Sequence, residues 1–260
     1  MDLGIKGRKA LITGGSGGMG IETIKRFLEA GVIVTATDLK EEDLAPVREE
    51  YGITCIAGDL SSAKGVDAFL KEAGTDFDIW VHAAGVTGAK GDPLEMTEED
   101  WEDALNIDFL SGVRLARHLC PVMIKKGWGR VVFVTSENVA QPYPEETVYN
   151  SAKSALLSFS KSIAMAHSGS GLLVNCIAPA FIETPMTDGM MEKRMEEEGC
   201  SFDEAVESFL EEERPYLVLK RRGKVEEVAP VIAFLCSELS SFVTGSNWRI
   251  DGGAVGSINV

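Results

Sequence analysis

Short apolar segments alternate with amphipathic ones along most of the chain, and this alternation restricts the possible fold more than any other feature. Strands are predicted at 9–13, 32–38, 53–59, 77–85, 129–136, 172–179 and 246–253. Helices are predicted between the early strands, at 18–31, 41–52, 61–74 and 97–127. Strands joined through helices of this length form right-handed crossovers, so the sheet is parallel and helices cover both faces. The pattern predicts a three-layer, doubly wound α/β fold with a parallel sheet of about seven strands.

Two helical regions depart from this regular pattern. The region 97–127 opens with a capping box, because Thr97 lies three positions before Asp100, and its long helix is expected to break near its start. The region 187–217 is acidic, helical and rich in methionine. It is interpreted either as a solvated insertion with one packing face or as a lid over a cleft. The 260 residues suit a single domain, 1–260, that carries this insertion.

The charge and the cysteine pattern exclude several classes of protein. A net charge of −16 argues against nucleic acid and anionic membranes as partners, because both attract basic surfaces. No apolar run approaches the roughly 18–20 residues that span a bilayer, and no signal peptide is recognised at the N-terminus. The five cysteines lack a CxxC pair, which favours reduced thiols and a cytoplasmic location. With three histidines and no HExxH motif, no metal site is predicted.

A glycine-rich loop, TGGSGGMG (13–20), connects the first predicted strand to the first predicted helix. Glycines in such a loop allow unusual backbone angles and the close approach of a ligand. The N–H groups at the start of the helix attract a pyrophosphate. Asp38 ends the second strand, where a carboxylate binds ribose hydroxyls in dinucleotide folds. The first part of the chain is therefore predicted to bind a dinucleotide.

A serine, a tyrosine and a lysine follow the strand at 129–136. Tyr149 and Lys153 are four residues apart, so on a helix they share one face, and Ser136 ends the strand. A nearby ammonium group stabilises the phenolate, so Lys153 is expected to lower the pKa of Tyr149 from its ordinary value of about 10. A tyrosine–lysine pair alone is equally compatible with surface positions.

The complete set of motifs resembles one family. The stretches TGGSGGMG, GDL (58–60), HAAG (82–85), Asn106, Ser136 and YNSAK (149–153) have the order and spacing of the short-chain dehydrogenase/reductase family. NCIAPAFIETPM (175–186) and DGG (251–253) extend the resemblance over essentially the whole chain. It implies a Rossmann fold and a nicotinamide cofactor.

The resemblance implies which residues bind the cofactor. They lie in the glycine loop, at the ends of the strands and around the tyrosine and lysine: Gly14, Ser16, Gly18, Met19, Gly20, Asp38, Leu39, Asp59, Leu60, Ala83, Ala84, Gly85, Asn106, Tyr149, Lys153, Pro179, Ile182 and Thr184.

Two positions depart from the family pattern, and one carboxylate indicates the cofactor. His82 stands where the family has asparagine, and is interpreted as a histidine bonded within the fold rather than as a catalytic base. Ala180 replaces the glycine that follows Pro179 in the family pattern. Asp38 accepts hydrogen bonds from a 2′-hydroxyl and repels a 2′-phosphate, so NAD is expected rather than NADP, although Lys40 is close in sequence.

The resemblance also implies catalytic roles. Tyr149 is expected to act as general acid and base, Ser136 to hydrogen-bond the substrate oxygen, and Lys153 to hold the nicotinamide ribose. Asn106 is expected to anchor a water that relays protons to solvent. Hydride transfer itself is chemistry of the cofactor.

The substrate pocket is expected to be formed by Ser136, Glu137, Asn138, Tyr143 and Tyr149. Glu137 stands where many members of the family have a small, apolar residue. It is expected either to face a polar or hydroxyl-rich substrate, or to face solvent or bond its own loop. The leading hypothesis is an NAD-dependent oxidoreductase that interconverts a secondary alcohol and a ketone of a small molecule. The alternatives are a reductase of 3-oxoacyl thioesters of acyl carrier protein or CoA, and a non-catalytic nucleotide-binding scaffold. By resemblance a homo-oligomer, either tetramer or dimer, is expected, assembled through helices 101–125 and 147–168 and the C-terminal segment GSINV.

Overall fold

Seven parallel strands form one sheet in the computed structural model, which describes residues 1–258. Their order is β3-β2-β1-β4-β5-β6-β7. The strands are β1 (Lys9–Thr13), β2 (Ile33–Asp38), β3 (Thr54–Ala57), β4 (Ile79–His82), β5 (Gly129–Val134), β6 (Leu172–Pro179) and β7 (Asn247–Ile250). The predicted parallel, doubly wound α/β fold is therefore confirmed.

Helices connect the strands and cover the sheet on both faces. They are α1 (Gly18–Glu29), α2 (Glu41–Tyr51), α3 (Ala63–Ala73), α4 (Glu98–Leu105), α5 (Ser111–Lys126), α6 (Thr147–Ala166), α7 (Pro185–Glu198), α8 (Phe202–Glu212) and α9 (Val225–Leu235). No described helix is long and apolar enough to cross a membrane.

Alternate residues of the strands supply two separate hydrophobic cores. Ile12 and Val132 pack on one face with apolar residues of α1, α2 and α9. Leu11 and Phe133 pack on the other face with residues of α3, α5 and α6. Because both faces of the sheet are covered, β5 contains the continuous apolar run VVFV and all of its residues are buried.

The strand order reverses between β1 and β4, and this point positions the site. Chain segments leave the carboxyl ends of these two strands in opposite directions, so a crevice opens between them. The glycine loop follows β1 there, and residues 83–85 follow β4.

The long helix predicted at 97–127 is interrupted in the structure. Thr97 and Asp100 form the predicted capping box at the start of α4. The break comes later than predicted, at Asn106–Leu110, where one turn of π-helix joins α4 to α5. Such turns are frequent at functional sites, because they change which side chains face inward.

The acidic region 187–217 corresponds to α7, α8 and the loop after them. Their residues Met191, Phe209, Leu210 and Leu217 form a small third core together with Phe181, which follows β6, and Ala254, which follows β7. Asn259 and Val260, which end the segment GSINV predicted to take part in assembly, lie outside the described residues.

Candidate active site

The glycine loop lies against the end of β4 with no room for side chains. Gly14 has φ of 69°, and a Cβ atom on it would lie 2.7 Å from the carbonyl carbon of Ala83. A Cβ atom on Gly20 would lie 2.2 Å from the oxygen of Gly14. No side chain caps the start of α1, so its first N–H groups remain available to an anion. The loop therefore fits a pyrophosphate.

A cleft of about 960 Å³ extends from this loop along the carboxyl ends of the strands. Its volume is in the range of ligand clefts in proteins. Most of the predicted cofactor-binding residues line it, namely Gly14, Ser16, Gly18, Met19, Gly20, Asp38, Leu39, Asp59, Leu60, Ala83, Ala84, Gly85 and Thr184. The residues present therefore fit a dinucleotide.

Asp38 carries a carboxylate that is fixed by three hydrogen bonds. Ser16 donates to Oδ2 from its backbone N–H, at 3.1 Å, and from its hydroxyl group, at 2.6 Å. Leu39 donates its N–H to Oδ1 at 2.8 Å. The exposed Lys40 has its ammonium group 3.7 Å from Glu42. Asp38 therefore presents a negative charge to this end of the cleft without a cation bonded to it.

His82 is fully buried, and both of its ring nitrogens have partners. Nδ1 lies 2.9 Å from the hydroxyl oxygen of Thr13, and Nε2 lies 3.2 Å from that of Ser111. Ser111 donates its own proton to the carbonyl of Ile107, so it accepts from Nε2. Burial lowers the pKa of His82 to about 3. The interpretation of His82 as a histidine bonded within the fold is confirmed.

A second, smaller cavity of about 130 Å³ adjoins the cleft and contains the predicted reacting groups. Ser136 reaches it from the loop after β5, and Tyr149 and Lys153 reach it from the first turns of α6. The Lys153 ammonium group lies 5.5 Å from the centre of the Tyr149 ring. The two cavities share lining residues, among them Met19, Ala83, Gly85 and Thr184, and Pro179 and Ile182 line the smaller one. The structure thus brings the predicted serine, tyrosine and lysine together beside the cleft.

Three comparisons with known proteins agree with this geometry. A family model described as "Enoyl-(Acyl carrier protein) reductase" matches residues 14–255. An uncharacterised oxidoreductase of Bacillus subtilis is 31% identical over 99% of this chain and 100% of its own length. The chain belongs to the short-chain dehydrogenase/reductase family. The family is one of oxidoreductases whose members bind a nicotinamide nucleotide and a small-molecule substrate.

Other members of the family match over similar lengths. A 3-oxoacyl-[acyl-carrier-protein] reductase of Thermotoga maritima is 34% identical over 96% of this chain and 99% of its own. The crystal structure of L-sorbose reductase from Gluconobacter frateurii, complexed with NADPH and L-sorbose, has a TM-score of 0.91 and 30% identity. It covers 99% of this chain and 100% of the reductase chain.

Asn106 is not brought to the reacting centre of this dehydrogenase/reductase. Its side-chain oxygen accepts a hydrogen bond of 2.7 Å from Arg114, which also donates to the carbonyl of Ser61. Asn106 lines neither cavity. The structure therefore gives no support for its predicted contact with a catalytic water or with the cofactor, because the π-helical turn that begins at Asn106 directs this side chain towards α5.

Asp108, two residues further along the same turn, faces the reacting centre instead. Its Oδ1 lies 3.1 Å from the Lys153 ammonium nitrogen and accepts the N–H of Val86 at 3.1 Å. Lys153 also donates to the carbonyl of Val134 at 3.3 Å. Sequence reasoning missed Asp108, although an acidic residue near the middle of a helix that leads to the site was a visible signal.

The pKa of Tyr149 is raised above its ordinary value, which is opposite to the direction predicted from the sequence. Burial is the largest cause, and the negative charges of Asp108 and Glu137 add to it. The contact with Ser136 acts in the other direction. The prediction counted the positive charge of Lys153 but not the carboxylate paired with it.

Glu137 is buried beside the catalytic serine position. Its Oε2 accepts a hydrogen bond of 2.8 Å from the Ser136 hydroxyl, which also lies 2.9 Å from Oδ1 of Asn138. Burial raises the pKa of Glu137 to about 7, while the nearby Arg214 acts to lower it. Glu137 and Asn138 both line the smaller cavity, as predicted for substrate-binding residues.

Arg214 completes this wall of the pocket, and sequence reasoning missed it. It follows α8 and is only 6% exposed. Its guanidinium lies 3.6 Å from Glu137 and 3.4 Å from Glu146. It stacks on the Tyr143 ring at 3.5 Å from the ring centre, so Tyr143 supports Arg214 and does not itself line the cavity.

Proposed function

We propose that the protein is an NAD-dependent oxidoreductase that interconverts a secondary alcohol and a ketone of a small, polar molecule. The observation that carries the proposal is the meeting of Ser136, Tyr149 and Lys153 in one cavity beside the dinucleotide cleft. A non-catalytic scaffold has no need for this combination.

Each of the three residues has a distinct proposed role. The bound nicotinamide supplies a hydride to the carbonyl carbon, or accepts one from the alcohol carbon. The Tyr149 phenol donates a proton to the developing alkoxide in reduction and takes it back in oxidation. Ser136 donates a hydrogen bond to the same oxygen, which requires its hydroxyl to turn from Glu137. The Lys153 ammonium group has three protons, two of which go to Asp108 and Val134, so one remains for the cofactor ribose.

The preference for NAD rests on the carboxylate of Asp38. A 2′-hydroxyl donates to a carboxylate, whereas a 2′-phosphate is repelled by it. Relatives differ in this respect: the L-sorbose reductase structure contains NADPH, and a 3-ketoacyl-(acyl-carrier-protein) reductase structure from Brucella melitensis contains NADH. The local charge in this chain supports NAD.

The walls of the smaller cavity support a neutral, hydroxyl-rich substrate. Glu137 and Glu146 are balanced by Arg214 and by Lys90, whose ammonium group lies 2.7 Å from Glu146. No charge remains for an ionic substrate, but several hydrogen-bonding groups do. Two relatives are named after sugar-derived substrates with several hydroxyl groups. They are the L-sorbose reductase and a 2-dehydro-3-deoxy-L-rhamnonate dehydrogenase (NAD⁺) that is 28% identical to this chain. We infer a sugar, a polyol or a related hydroxyketone.

A 3-oxoacyl thioester is the second candidate substrate, because two relatives are named 3-oxoacyl-[acyl-carrier-protein] reductase. The description of the family model also names a reductase of the acyl carrier protein. The basic cluster 220–224 could dock an acidic carrier protein. Two of its arginines are already paired, however: Arg221 with Glu227 at 2.7 Å and Arg222 with Asp188 at 2.7 Å. The cluster therefore offers little free positive charge, which favours the small polar substrate.

We further propose that 187–217 acts as the substrate lid of a single catalytic domain, since it carries Arg214 into the pocket wall. We also expect the chain to assemble as a homo-oligomer, which sedimentation of the purified protein measures.

The substrate and cofactor assignments are tested by comparing turnover of a panel of sugars, polyols and hydroxyketones with turnover of 3-oxoacyl-CoA. Each substrate is measured with NAD(H) and with NADP(H). Absorbance of the reduced cofactor is the readout. Turnover restricted to 3-oxoacyl thioesters would show that the second candidate is correct.

Replacing Tyr149 by phenylalanine tests the chemistry. Tyr149→Phe should lower kcat at least about 100-fold, because general acid–base catalysis contributes factors of that size. NADH affinity, measured by fluorescence, should change little. Tyr216→Phe, which removes a hydroxyl from an exposed tyrosine, is the control. A Tyr149→Phe variant with more than a tenth of the wild-type rate contradicts the assignment.

A further inference from the structure

The ammonium group of Lys153 is held by a carboxylate that lies behind the reacting centre. Asp108 is fully buried, and its Oδ1 is 3.1 Å from the Lys153 nitrogen. A Cβ atom on Gly85 would lie 2.5 Å from this oxygen and 2.9 Å from the nitrogen, so the glycine leaves space for the pair.

Local structure does not require a negative charge at this position. Oδ1 accepts the N–H of Val86, which a neutral carbonyl oxygen would accept equally well. Oδ2 is buried and has no hydrogen-bond partner. A buried carboxylate with an unsatisfied oxygen destabilises the fold. Burial raises the pKa of Asp108, and Lys153, the charged group that it contacts, acts to lower that pKa. The group that favours a negative charge on Asp108 is therefore chiefly Lys153.

The pairing of Lys153 with Asp108 affects the ionisation of Tyr149. An isolated ammonium group 5.5 Å from the phenol ring would favour the phenolate. Paired with a carboxylate, the same group forms a dipole whose field at the phenol is much weaker. Asp108 thereby removes most of the acidifying effect of Lys153.

The other charged groups around Tyr149 do not restore this effect. Glu137 and Glu146 disfavour the phenolate, and the cations near them, Arg214 and Lys90, are already paired with those carboxylates. His82 faces Lys153 from β4 and is neutral, because burial lowers its pKa to about 3. Among these groups, only Ser136 favours the ionised phenol, through its contact with Tyr149.

We propose that Asp108 is a positioning residue that holds the Lys153 ammonium group and thereby keeps the Tyr149 phenol protonated around neutral pH, so that the enzyme is set to donate a proton to a carbonyl. The inference rests on the proposed oxidoreductase function. It adds a preference for the reductive direction at neutral pH, with oxidation restricted to alkaline pH, where the phenolate forms.

Titration of Tyr149 in the protein without cofactor or substrate tests the proposal. The chain has four tyrosines, so ¹³Cζ-tyrosine labelling gives few resonances, and Tyr149→Phe identifies the relevant one. Asp108→Asn keeps the size of the side chain and removes its charge. It should lower the pH at which Tyr149 ionises by about one unit or more, a tenfold change in the ionisation equilibrium.

Asp78→Asn is the matched control, because it removes a half-buried carboxylate paired with Lys126 at 2.9 Å, at the other end of β4. This variant should leave the titration of Tyr149 unchanged. An equal titration of Tyr149 in wild type and Asp108→Asn would overturn the proposal. So would a wild-type Tyr149 that ionises below about pH 8.5, well under the ordinary tyrosine value, and this second result needs no variant to fold.

The pH dependence of turnover gives a second readout. In Asp108→Asn the rise of alcohol oxidation with pH should move to lower pH by the same interval as the titration. A different result would show that the proposed oxidoreductase function itself is wrong. That result is either retained turnover in Tyr149→Phe or no turnover with any nicotinamide nucleotide.

Discussion

Three hydrogen bonds fix the carboxylate of Asp38 at the carboxyl end of β2. Two come from Ser16 in the glycine loop and one from Leu39. Because the acceptor is held in place, a ribose hydroxyl that binds it loses little freedom of the protein side chain. The same rigidity prevents the carboxylate from turning away from a 2′-phosphate. We therefore expect this one residue both to attract NAD and to repel NADP.

Asp38→Asn should shift cofactor preference towards NADP. The ratio of kcat/KM for NADP to that for NAD is expected to rise about 10- to 100-fold, because a charge-assisted hydrogen bond and a like-charge repulsion are both lost. Steady-state kinetics with both cofactors measures the ratio. Asp43→Asn, which removes an exposed carboxylate from the same cleft, should change it less than about threefold. An unchanged ratio in Asp38→Asn would mean that Asp38 does not set the preference.

At the scale of elements, the π-helical turn at Asn106–Leu110 and the insertion α7–α8 have the greatest effect on the site. The turn directs Asp108 towards Lys153 and Asn106 towards Arg114. An extra residue in one turn shifts the phase of the apolar pattern, but in a turn of five residues the shift is too short to be recognised from the sequence. The Thr97–Asp100 capping box, by contrast, is a local signal and was predicted correctly. The insertion is also visible as a helical pattern, but the pattern does not show that Thr187 and Met190 of α7 and Arg214 after α8 line the smaller cavity.

Removing that arginine tests the proposed lid. Arg214→Met should raise KM for the polar substrate about 10- to 100-fold, because Glu137 and Glu146 lose a charged hydrogen-bonding partner of the pocket wall. The dissociation constant of NADH should stay within about twofold, since Arg214 does not line the larger cleft. Substrate kinetics and cofactor fluorescence separate the two effects.

Arg194→Met is the control for the stability of the insertion. Arg194 lies in α7 and bonds Glu198, Ser208 and Glu212, so it ties α7 to α8 without reaching the pocket. If both variants raised KM equally, Arg214 would act through the folding of the insertion alone.

For the whole molecule, the sequence predicted what depends on local order along the chain and missed what depends on distant contacts. The alternation of strands and helices was sufficient to predict the parallel sheet. The cleft and the reacting groups were predicted from the complete set of motifs, since the tyrosine–lysine spacing alone is equally compatible with surface positions. Arg214 follows α8 and Glu137 follows β5, so their contact joins segments that are far apart in the sequence. The raised pKa of Tyr149 likewise depends on burial and on Asp108, neither of which a motif records.

His82 connects the sheet to the acid stability of the whole protein. Its ring is packed at 5.3 Å from Trp80 and 5.9 Å from Phe133, centre to centre, and is kept neutral by burial. Its pKa is about 3 in the folded protein and about 6.5 in the unfolded chain. Below pH 6.5 the unfolded chain therefore binds a proton that the folded protein does not, and stability is lost as the pH falls from about 6.5 towards 3.

His82→Asn should reduce this loss, because asparagine does not titrate. Between about pH 8 and pH 5, the histidine should contribute about 2 kcal/mol to the fall in the free energy of unfolding of the wild type. Urea unfolding at both pH values measures this decrease in the free energy of unfolding. Comparing the decrease in the variant with that in the wild type cancels any pH-independent cost of the substitution and the effect of the carboxylates, which both proteins share. His118→Asn, at an exposed position on α5, should leave the wild-type fall unchanged. An equal fall in His82→Asn and the wild type would mean that His82 takes up a proton within the folded protein, which the bonds to Thr13 and Ser111 and the aromatic packing around the ring oppose.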